Sequence, residues 1–319
     1  MSGTSSVLDI DELRHALAAE LECRRCTDGG FSYADERGGE ETLYGLTGAV
    51  NIMAALGLPP GSRARRHEAA ARMLRYQHED GTFQGADGPG HALHMVVGAL
   101  NLLGEPVPAT VAPLAPTDPA ALAEWLDRHD WTSTHKELCG STIPLLASGR
   151  PGPEGVATFV RGLDARLDPA RPMETWCAAD APPWQVISCT YHILSALDAG
   201  RIPYPRPELL IRRLCDLRWD EVPDDERRTV CTDADWALML LNLSHMLPAH
   251  SEPVMAMIRR VSARRVRAWH MGREAILKLG THHLYCYLWG TAVFQSVVRD
   301  HYVGGVVIDT LNDPALYRL

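Results

Sequence analysis

Carboxylate and imidazole side chains recur at the starts of apolar stretches in this sequence, and these are the groups used in general acid–base catalysis. Asp233 and Asp235 open one such stretch, and His282 and His283, followed by Tyr285, open another. These five are the candidate catalytic residues. The candidate substrate-binding residues share the same kind of position and are either polar or aromatic: Tyr44, His91, His94, His135, Glu137, Trp184, His192, Trp236 and Trp289.

Each candidate also has a purely structural interpretation. Asp233 and Asp235 fall in the first turn of a predicted helix, where carboxylates cap exposed N–H groups and stabilise the helix dipole. His282 and His283 point about 100° apart on a helix, so at most one of them faces a common centre. The other is then a core or solvent-facing histidine.

His91 and His94 share one face of a helix because they are three residues apart. That spacing suits a metal ion, but the sequence offers no third ligand. We therefore predict no metal site and no cofactor. Mg²⁺ would be needed only if the substrate carried a diphosphate.

An aromatic residue recurs along the whole chain with gaps of 48 to 53 residues, and this period organises the candidates. The six positions are Phe31, Phe83, Trp131, Trp184, Trp236 and Trp289. A fixed period of this length indicates one supersecondary unit that is repeated.

Each unit is predicted to contain two helices, one apolar nearly all round and one with a polar face. The apolar, inner helices are predicted at 42–57, 90–104, 136–149, 184–200, 232–247 and 282–302. The amphipathic, outer helices are predicted at 8–23, 62–77, 118–129, 153–166, 206–218 and 252–268.

Six helical hairpins predict an all-α fold, an (α/α)6 barrel with about twelve helices in two concentric layers. Residues 1–302 form this single domain, and residues 303–319 form a C-terminal tail outside the repeats. A closed ring would bring the N-terminal ends of all the inner helices to one mouth. The candidate residues would therefore converge although they are far apart in sequence.

Bulk composition excludes several classes of function. The net charge of −9 argues against a nucleic-acid partner, which needs a basic surface. No apolar run reaches 18 residues, so we predict no membrane-spanning segment. The start lacks a signal-peptide pattern, which predicts a cytoplasmic protein whose eight cysteines are reduced. The oligomeric state is not indicated.

Two short motifs resemble known repeats. Gln77-His-Glu-Asp80-Gly-Thr-Phe83 resembles the Gln-x-x-Asp-Gly-x-(Phe/Trp) repeat of squalene and oxidosqualene cyclases. Asp28-Gly-Gly-Phe31 resembles the related repeat of protein prenyltransferase β subunits. The chain is thus similar to the terpenoid cyclase/prenyltransferase superfamily of α-α toroids. The motifs are clear in two units and eroded in the other four.

The resemblance implies an acid. Class II terpene cyclases carry Asp-x-Asp-Asp or Asp-Cys-Thr-Ala, and Cys231-Thr-Asp233-Ala-Asp235 matches these only at Asp233. We expect Asp233 to protonate the substrate and a histidine or tyrosine near 282–287 to act as base or orienting group. The expected substrate is a small, largely apolar metabolite, such as an isoprenoid, that is cyclised or isomerised.

Two alternatives stay open. Barrels of this type also host carbohydrate lyases and hydrolases, for which Trp131, Trp184 and Trp289 would supply stacking platforms. The chain would otherwise be a non-catalytic protein that binds an apolar ligand in an inherited toroid.

Overall fold

The protein is all-helical in the part that its computed structural model describes. That part comprises residues 7–58, 61–85, 88–111, 115–129, 131, 134–167, 176–177, 180–223 and 231–308. For residues 134–140 only the backbone is described. Twelve α-helices and one pair of two-residue strands form within these ranges.

The helices alternate between two types along the chain. The odd-numbered helices are α1 (Ile10–Cys23), α3 (Arg63–Leu74), α5 (Pro119–Arg128), α7 (Gly152–Asp164), α9 (Pro207–Asp216) and α11 (Ser251–Leu277). The even-numbered helices are α2 (Leu43–Ala55), α4 (Pro89–Leu103), α6 (Thr134–Ala147), α8 (Pro183–Ala199), α10 (Thr232–Met246) and α12 (Thr281–Val297).

The predicted helices agree with these bounds to within a few residues, with two exceptions. Helix α11 continues to Leu277, well past the predicted end at 268, across a kink at Gly272. Helix α12 ends at Val297 and not at 302. The all-helical class is confirmed.

Burial separates the two helix types as the sequence predicts. Every residue of α4 from Ala92 to Leu100 is buried, whereas α3 buries only Ala69, Ala70 and Met73. Polar α3 therefore exposes one face, and apolar α4 is enclosed on most sides.

The even-numbered helices pack against one another in sequence order. Helix α2 packs against α4, α4 against α6, α6 against α8, α8 against α10 and α10 against α12, and α12 packs in turn against α2. Four of the odd-numbered helices lie on them: α1 on α2, α3 on α2 and α4, α9 on α10, and α11 on α10 and α12. Helices α5 and α7 pack against each other.

The repeat motif before α4 is a compact turn. The Gln77 amide donates to Gly81 O at 3.2 Å, and the Asp80 carboxylate accepts from Thr82 N at 2.9 Å. The Phe83 ring is fully buried. Glutamine and aspartate thus fix the backbone while the aromatic ring anchors the turn to the core.

The two ends of the described chain meet. Strand β1 (Leu8–Asp9) pairs in parallel with strand β2 (Tyr302–Val303). Farther on, Val307 N donates to Gln295 Oε1 at 3.0 Å, and Ile308 N donates to Ala55 O at 2.9 Å. The first part of the predicted tail is therefore attached to both α12 and α2.

Arg24 is the main polar link between the first and last helical units. Its guanidinium is buried and pairs with Glu20, one turn earlier, at 2.9 Å. It donates to Leu277 O at 2.8 Å, to Leu279 O at 2.6 Å and to Asp35 O. One cation thus satisfies carbonyl groups from chain segments that lie more than two hundred residues apart in sequence.

Replacing Arg24 by methionine should cost about 3–5 kcal/mol of unfolding free energy, because it leaves buried carbonyl groups and the Glu20 carboxylate with fewer partners. Urea unfolding followed by circular dichroism measures the cost.

The matched control is Arg128→Met. Arg128 pairs with Glu124 at the same four-residue spacing, but both side chains are exposed. Its loss should cost less than about 1 kcal/mol. Equal costs for the two variants would show that Arg24 is an ordinary surface cation.

Candidate functional site

Three ring side chains meet where α2, α4 and α12 begin. The Tyr44 phenol oxygen and His91 Nδ1 are hydrogen-bonded at 2.7 Å. The His282 ring stacks on Tyr44 with centroids 5.5 Å apart, and it meets the His91 ring edge-on at 4.8 Å. Tyr44, His91, His282 and His94, whose pKa the nearby His282 helps to lower, are called the imidazole cluster.

Local structure positions two residues of the imidazole cluster, Tyr44 and His282. The Thr42 hydroxyl caps α2 by accepting from Gly45 N at 2.9 Å, which sets the direction of Tyr44. Thr281 Oγ1 donates to Ala34 O at 2.9 Å, and Thr281 N donates to Asp35 O at 3.0 Å, so the start of α12 is held beside α2. Gly48 permits this approach, since a Cβ there would lie 2.7 Å from the Thr281 methyl group.

Burial keeps His94 neutral. Desolvation, with a smaller contribution from the charge of His282, lowers the pKa of His94 to about 3. At neutral pH His94 is therefore an uncharged imidazole, which can donate or accept a hydrogen bond but holds a proton only weakly.

A second group of side chains adjoins the first. His282 Nε2 lies 3.6 Å from Cys286 Sγ, one turn along α12. Cys231 interacts with both the Cys286 thiol and the Asp235 carboxyl group, and it contributes to the raised pKa of each. Cys231, Asp235 and Cys286 are called the thiol–carboxyl cluster.

The Asp235 carboxyl group is suited to carry a proton. It is buried, and this burial, followed by the neighbouring Cys231 thiol, raises its pKa well above the ordinary value. The groups that shift its pKa are Cys231 and Asp233, and neither is a cation. Burial without a cationic partner favours the neutral acid.

Asp233 lies in the opposite environment. Its carboxylate accepts a hydrogen bond from Trp219 Nε1 at 2.8 Å and lies 3.6 Å from Arg265 Nη1 and 4.0 Å from Arg264 Nη2. Two positions on a helix differ by about 200°, so Asp233 and Asp235 point to different sides of α10. Asp233 faces α11, from which both cations come.

Both aspartates lie in the first turn of α10, as the sequence predicts. The helix begins at Thr232, and the residue before it, Cys231, makes no side-chain capping bond. Burial and the neighbouring Cys231 raise the pKa of the Asp235 carboxyl group. The capping interpretation of Asp235 stays a prediction.

The remaining predicted residues lie at several places. Trp236 is buried and donates to Leu214 O at 2.9 Å, so it anchors α10 to α9. Trp289 is buried 5.7 Å from the Tyr191 ring, and His192 is half-buried beside Tyr191.

The other predicted residues differ in exposure. His283 is exposed, Tyr285 is buried and Trp184 is half-buried. The side chains of His135 and Glu137 lie outside the described residues.

The structure brings in two residues that sequence reasoning did not select, Cys231 and Cys286. A signal existed, since Cys286 lies four residues after His282 and Cys231 lies four before Asp235. At that spacing two side chains share a helix face. The interaction that raises the pKa of Cys286, with Cys231 more than fifty residues away, has no signature in the sequence.

No family model, curated protein or solved structure matches this chain. Among the described residues, no group of three or more histidine, cysteine, aspartate or glutamate side chains has an arrangement that could hold a metal ion. In the same part of the chain, no helix combines the length and apolar character needed to cross a membrane.

The low pKa of His94 makes stability depend on pH. Below its ordinary pKa of 6.5, His94 stays neutral in the folded protein but becomes protonated in the unfolded chain. Its contribution to the free energy of unfolding is therefore fully present above pH 6.5 and is lost as the pH falls toward about 3. Over that interval His94 should add a slope of up to about 1.4 kcal/mol per pH unit, and His94→Gln should remove this slope.

Urea unfolding at a series of pH values measures the slope. The control is His67→Gln, because the His67 side chain is 77% exposed and its loss leaves His94 in place. If His94→Gln and the wild type lose stability in parallel as the pH falls, His94 is not a buried neutral imidazole.

The raised pKa of Asp235 predicts that its carboxyl group keeps its proton to a higher pH than an ordinary aspartate does. Infrared difference spectroscopy should detect its carbonyl band, which Asp235→Asn should lack and Asp233→Asn should retain. A folded-state pKa above the unfolded value costs stability as the pH rises. Asp235→Asn should therefore gain stability relative to the wild type above the ordinary pKa of 3.8 and lose that gain below it. A band that survives in Asp235→Asn would assign the proton elsewhere.

Proposed function

We propose that this protein is a small enzyme that cyclises or isomerises a compact, largely apolar metabolite, such as an isoprenoid, by protonating it. The proposal depends on one observation: Asp235 is a buried carboxyl group with a raised pKa, next to a cluster of imidazole and phenol side chains. An acid and bases in adjoining environments of different polarity are what proton-driven rearrangement requires.

The proposal also includes the overall architecture, an (α/α)6 toroid. Twelve helices of alternating character, with the inner ones packed in order and α12 against α2, fit an (α/α)6 toroid. In that arrangement the starts of the inner helices surround one mouth. The contacts among Tyr44, His91 and His282, each in the first turn of its helix, support this part of the proposal.

Asp235 serves as the acid in place of Asp233. To protonate a carbon–carbon double bond, a carboxyl group must hold its proton until the substrate arrives, and Asp235 has the surroundings for this. Asp233 keeps Arg265 and Trp219 oriented and is a positioning residue of α10. The substrate would approach Asp235 beside Cys231, the half-exposed member of the thiol–carboxyl cluster.

The imidazole cluster completes the reaction. Protonation of an apolar substrate creates a carbocation, which the face of the Tyr44 ring can stabilise. Loss of a proton from the cation ends the sequence, and a neutral imidazole is a suitable acceptor. His282 is the base in this scheme, since it contacts Tyr44, His91 and Cys286.

The structure gives less support to a glycan substrate. The Trp131 indole donates to Leu126 O at 3.1 Å, and Arg166 covers its ring at 4.7 Å. Trp289 is buried. Two of the three tryptophans that would stack on sugars are therefore used within the protein itself.

Incubation with prenyl diphosphates and small prenylated metabolites, with and without Mg²⁺, tests the proposal by mass spectrometry. A product of unchanged mass that forms without metal is expected. Asp235→Asn should lower its rate by about a hundredfold or more, since general acids contribute factors of that size. Asp233→Asn is the matched control and should retain the larger part of the activity of the wild type.

Other results would redirect the proposal. Full activity in Asp235→Asn, with a loss in Asp233→Asn, would return the acid role to Asp233. Retention of an unaltered apolar compound by the intact protein, without turnover, would favour the non-catalytic binding alternative.

A further inference from the structure

We propose that Asp35 is a positioning residue for His282, because its carboxylate caps helix α12 from another part of the chain. Helix α12 begins at Thr281, and the residue before it, Gly280, has no side chain that could form a capping bond. Asp35 lies in the loop between α1 and α2, 247 residues before His282 in the sequence. A residue of the first helical unit thus performs the task that the residue before a helix usually performs.

Asp35 accepts hydrogen bonds from the first two N–H groups of α12. Its backbone carbonyl accepts from Thr281 N at 3.0 Å, and its carboxylate Oδ1 accepts from His282 N at 3.4 Å. A capping side chain usually bonds to the second or third N–H group of a helix, and His282 is the second residue of α12. The carboxylate also places negative charge at the positive end of the helix dipole.

Gly280 leaves open the space that this carboxylate occupies. A Cβ at position 280 would lie 2.6 Å from Asp35 Oδ2 and 3.0 Å from Asp35 Oδ1, so one of the two groups would have to move. The φ angle of Gly280 is −54°, which other residues also adopt. The contact with Asp35, and not the backbone conformation, is therefore what requires a glycine here.

The cap acts on a residue of the imidazole cluster. The bond to His282 N holds the backbone from which the His282 ring extends, and that ring stacks on Tyr44 with centroids 5.5 Å apart. The loop that contains Asp35 leads directly into the helix of Tyr44, so this one loop positions both rings. The role of His282 as a base rests on the proposed function, whereas its position over Tyr44 does not.

Nuclear magnetic resonance of the full-length protein, labelled with ¹³C and ¹⁵N at histidine, tests the proposal without a substrate. The His282 ring signals are identified by their loss in His282→Gln, and the Tyr44 ring should displace them in the wild type. Asp35→Ala should shift them toward the values of an unstacked histidine. This variant keeps the Asp35 backbone carbonyl, which is the atom that Arg24 and Thr281 bind, so it removes the carboxylate alone.

Three further variants sharpen the result. Asp35→Asn keeps an oxygen acceptor and should shift the His282 signals less than Asp35→Ala does. Gly280→Ala should displace the carboxylate and shift the same signals, but it should add nothing in the Asp35→Ala background, where the clash is gone. The matched control is Asp118→Ala, because Asp118 caps α5 by accepting from Ala121 N at 2.9 Å, and its loss should leave the His282 signals unchanged.

Activity provides a separate measurement. If His282 is the base, Asp35→Ala should lower kcat by about tenfold or more and leave KM near its wild-type value, because the base is misplaced while the substrate still binds. Absence of turnover in the wild type would count against the proposed function and not against the position of His282. The inference is overturned if the His282 signals of Asp35→Ala coincide with those of the wild type, if Asp118→Ala shifts them as far, or if Gly280→Ala shifts them equally with and without the Asp35 carboxylate.

Discussion

The rest of the structure depends on the way that Arg24 joins the first and last helical units. Its buried guanidinium binds the Asp35 carbonyl on one side and the Leu277 and Leu279 carbonyls on the other. The start of α12 is thereby held against the loop that leads into α2. Tyr44 and His282 can stack only because these two helix starts are side by side. A single charge–carbonyl junction therefore determines both the closure of the helix series and the geometry of the imidazole cluster.

Cations are unevenly distributed among the carboxyl groups. Asp233 has Arg265 and Arg264, and Glu20 has Arg24 and Arg37. Arg265 also donates to the Tyr287 carbonyl and lies over the Tyr287 ring, in space that Gly290 leaves open between α10 and α12. Asp235 is only two residues from Asp233, but the groups that shift its pKa are the Cys231 thiol and the Asp233 carboxylate. The difference between the two aspartates thus follows from which charged groups lie beside each carboxyl group.

Periodicity made the helices predictable, because apolar residues at helical spacing and an aromatic residue in every unit are properties of the sequence alone. The convergence of Tyr44, His91 and His282 was predictable for the same reason, since all three open inner helices. The environment of Asp233 was not, because Trp219, Arg264 and Arg265 reach its carboxylate from other parts of the fold. Arg24 was also missed: its spacing from Glu20 is the same as that of Arg128 from the exposed Glu124, and only the tertiary structure distinguishes them.

The short parallel pairing of Leu8–Asp9 with Tyr302–Val303 has a consequence for how the chain folds. Contacts between neighbouring helical units close small loops, whereas this pairing and the bonds of Arg24 close loops of more than 250 residues. The entropy of closing a loop grows with its length, and contacts of high sequence separation slow folding. We therefore expect the contacts of Arg24 and the pairing of the two strands to form late, after neighbouring helical units have packed. His282 would then come to lie beside Tyr44 and His91 only at a late step, so the imidazole cluster would form when the fold is nearly complete.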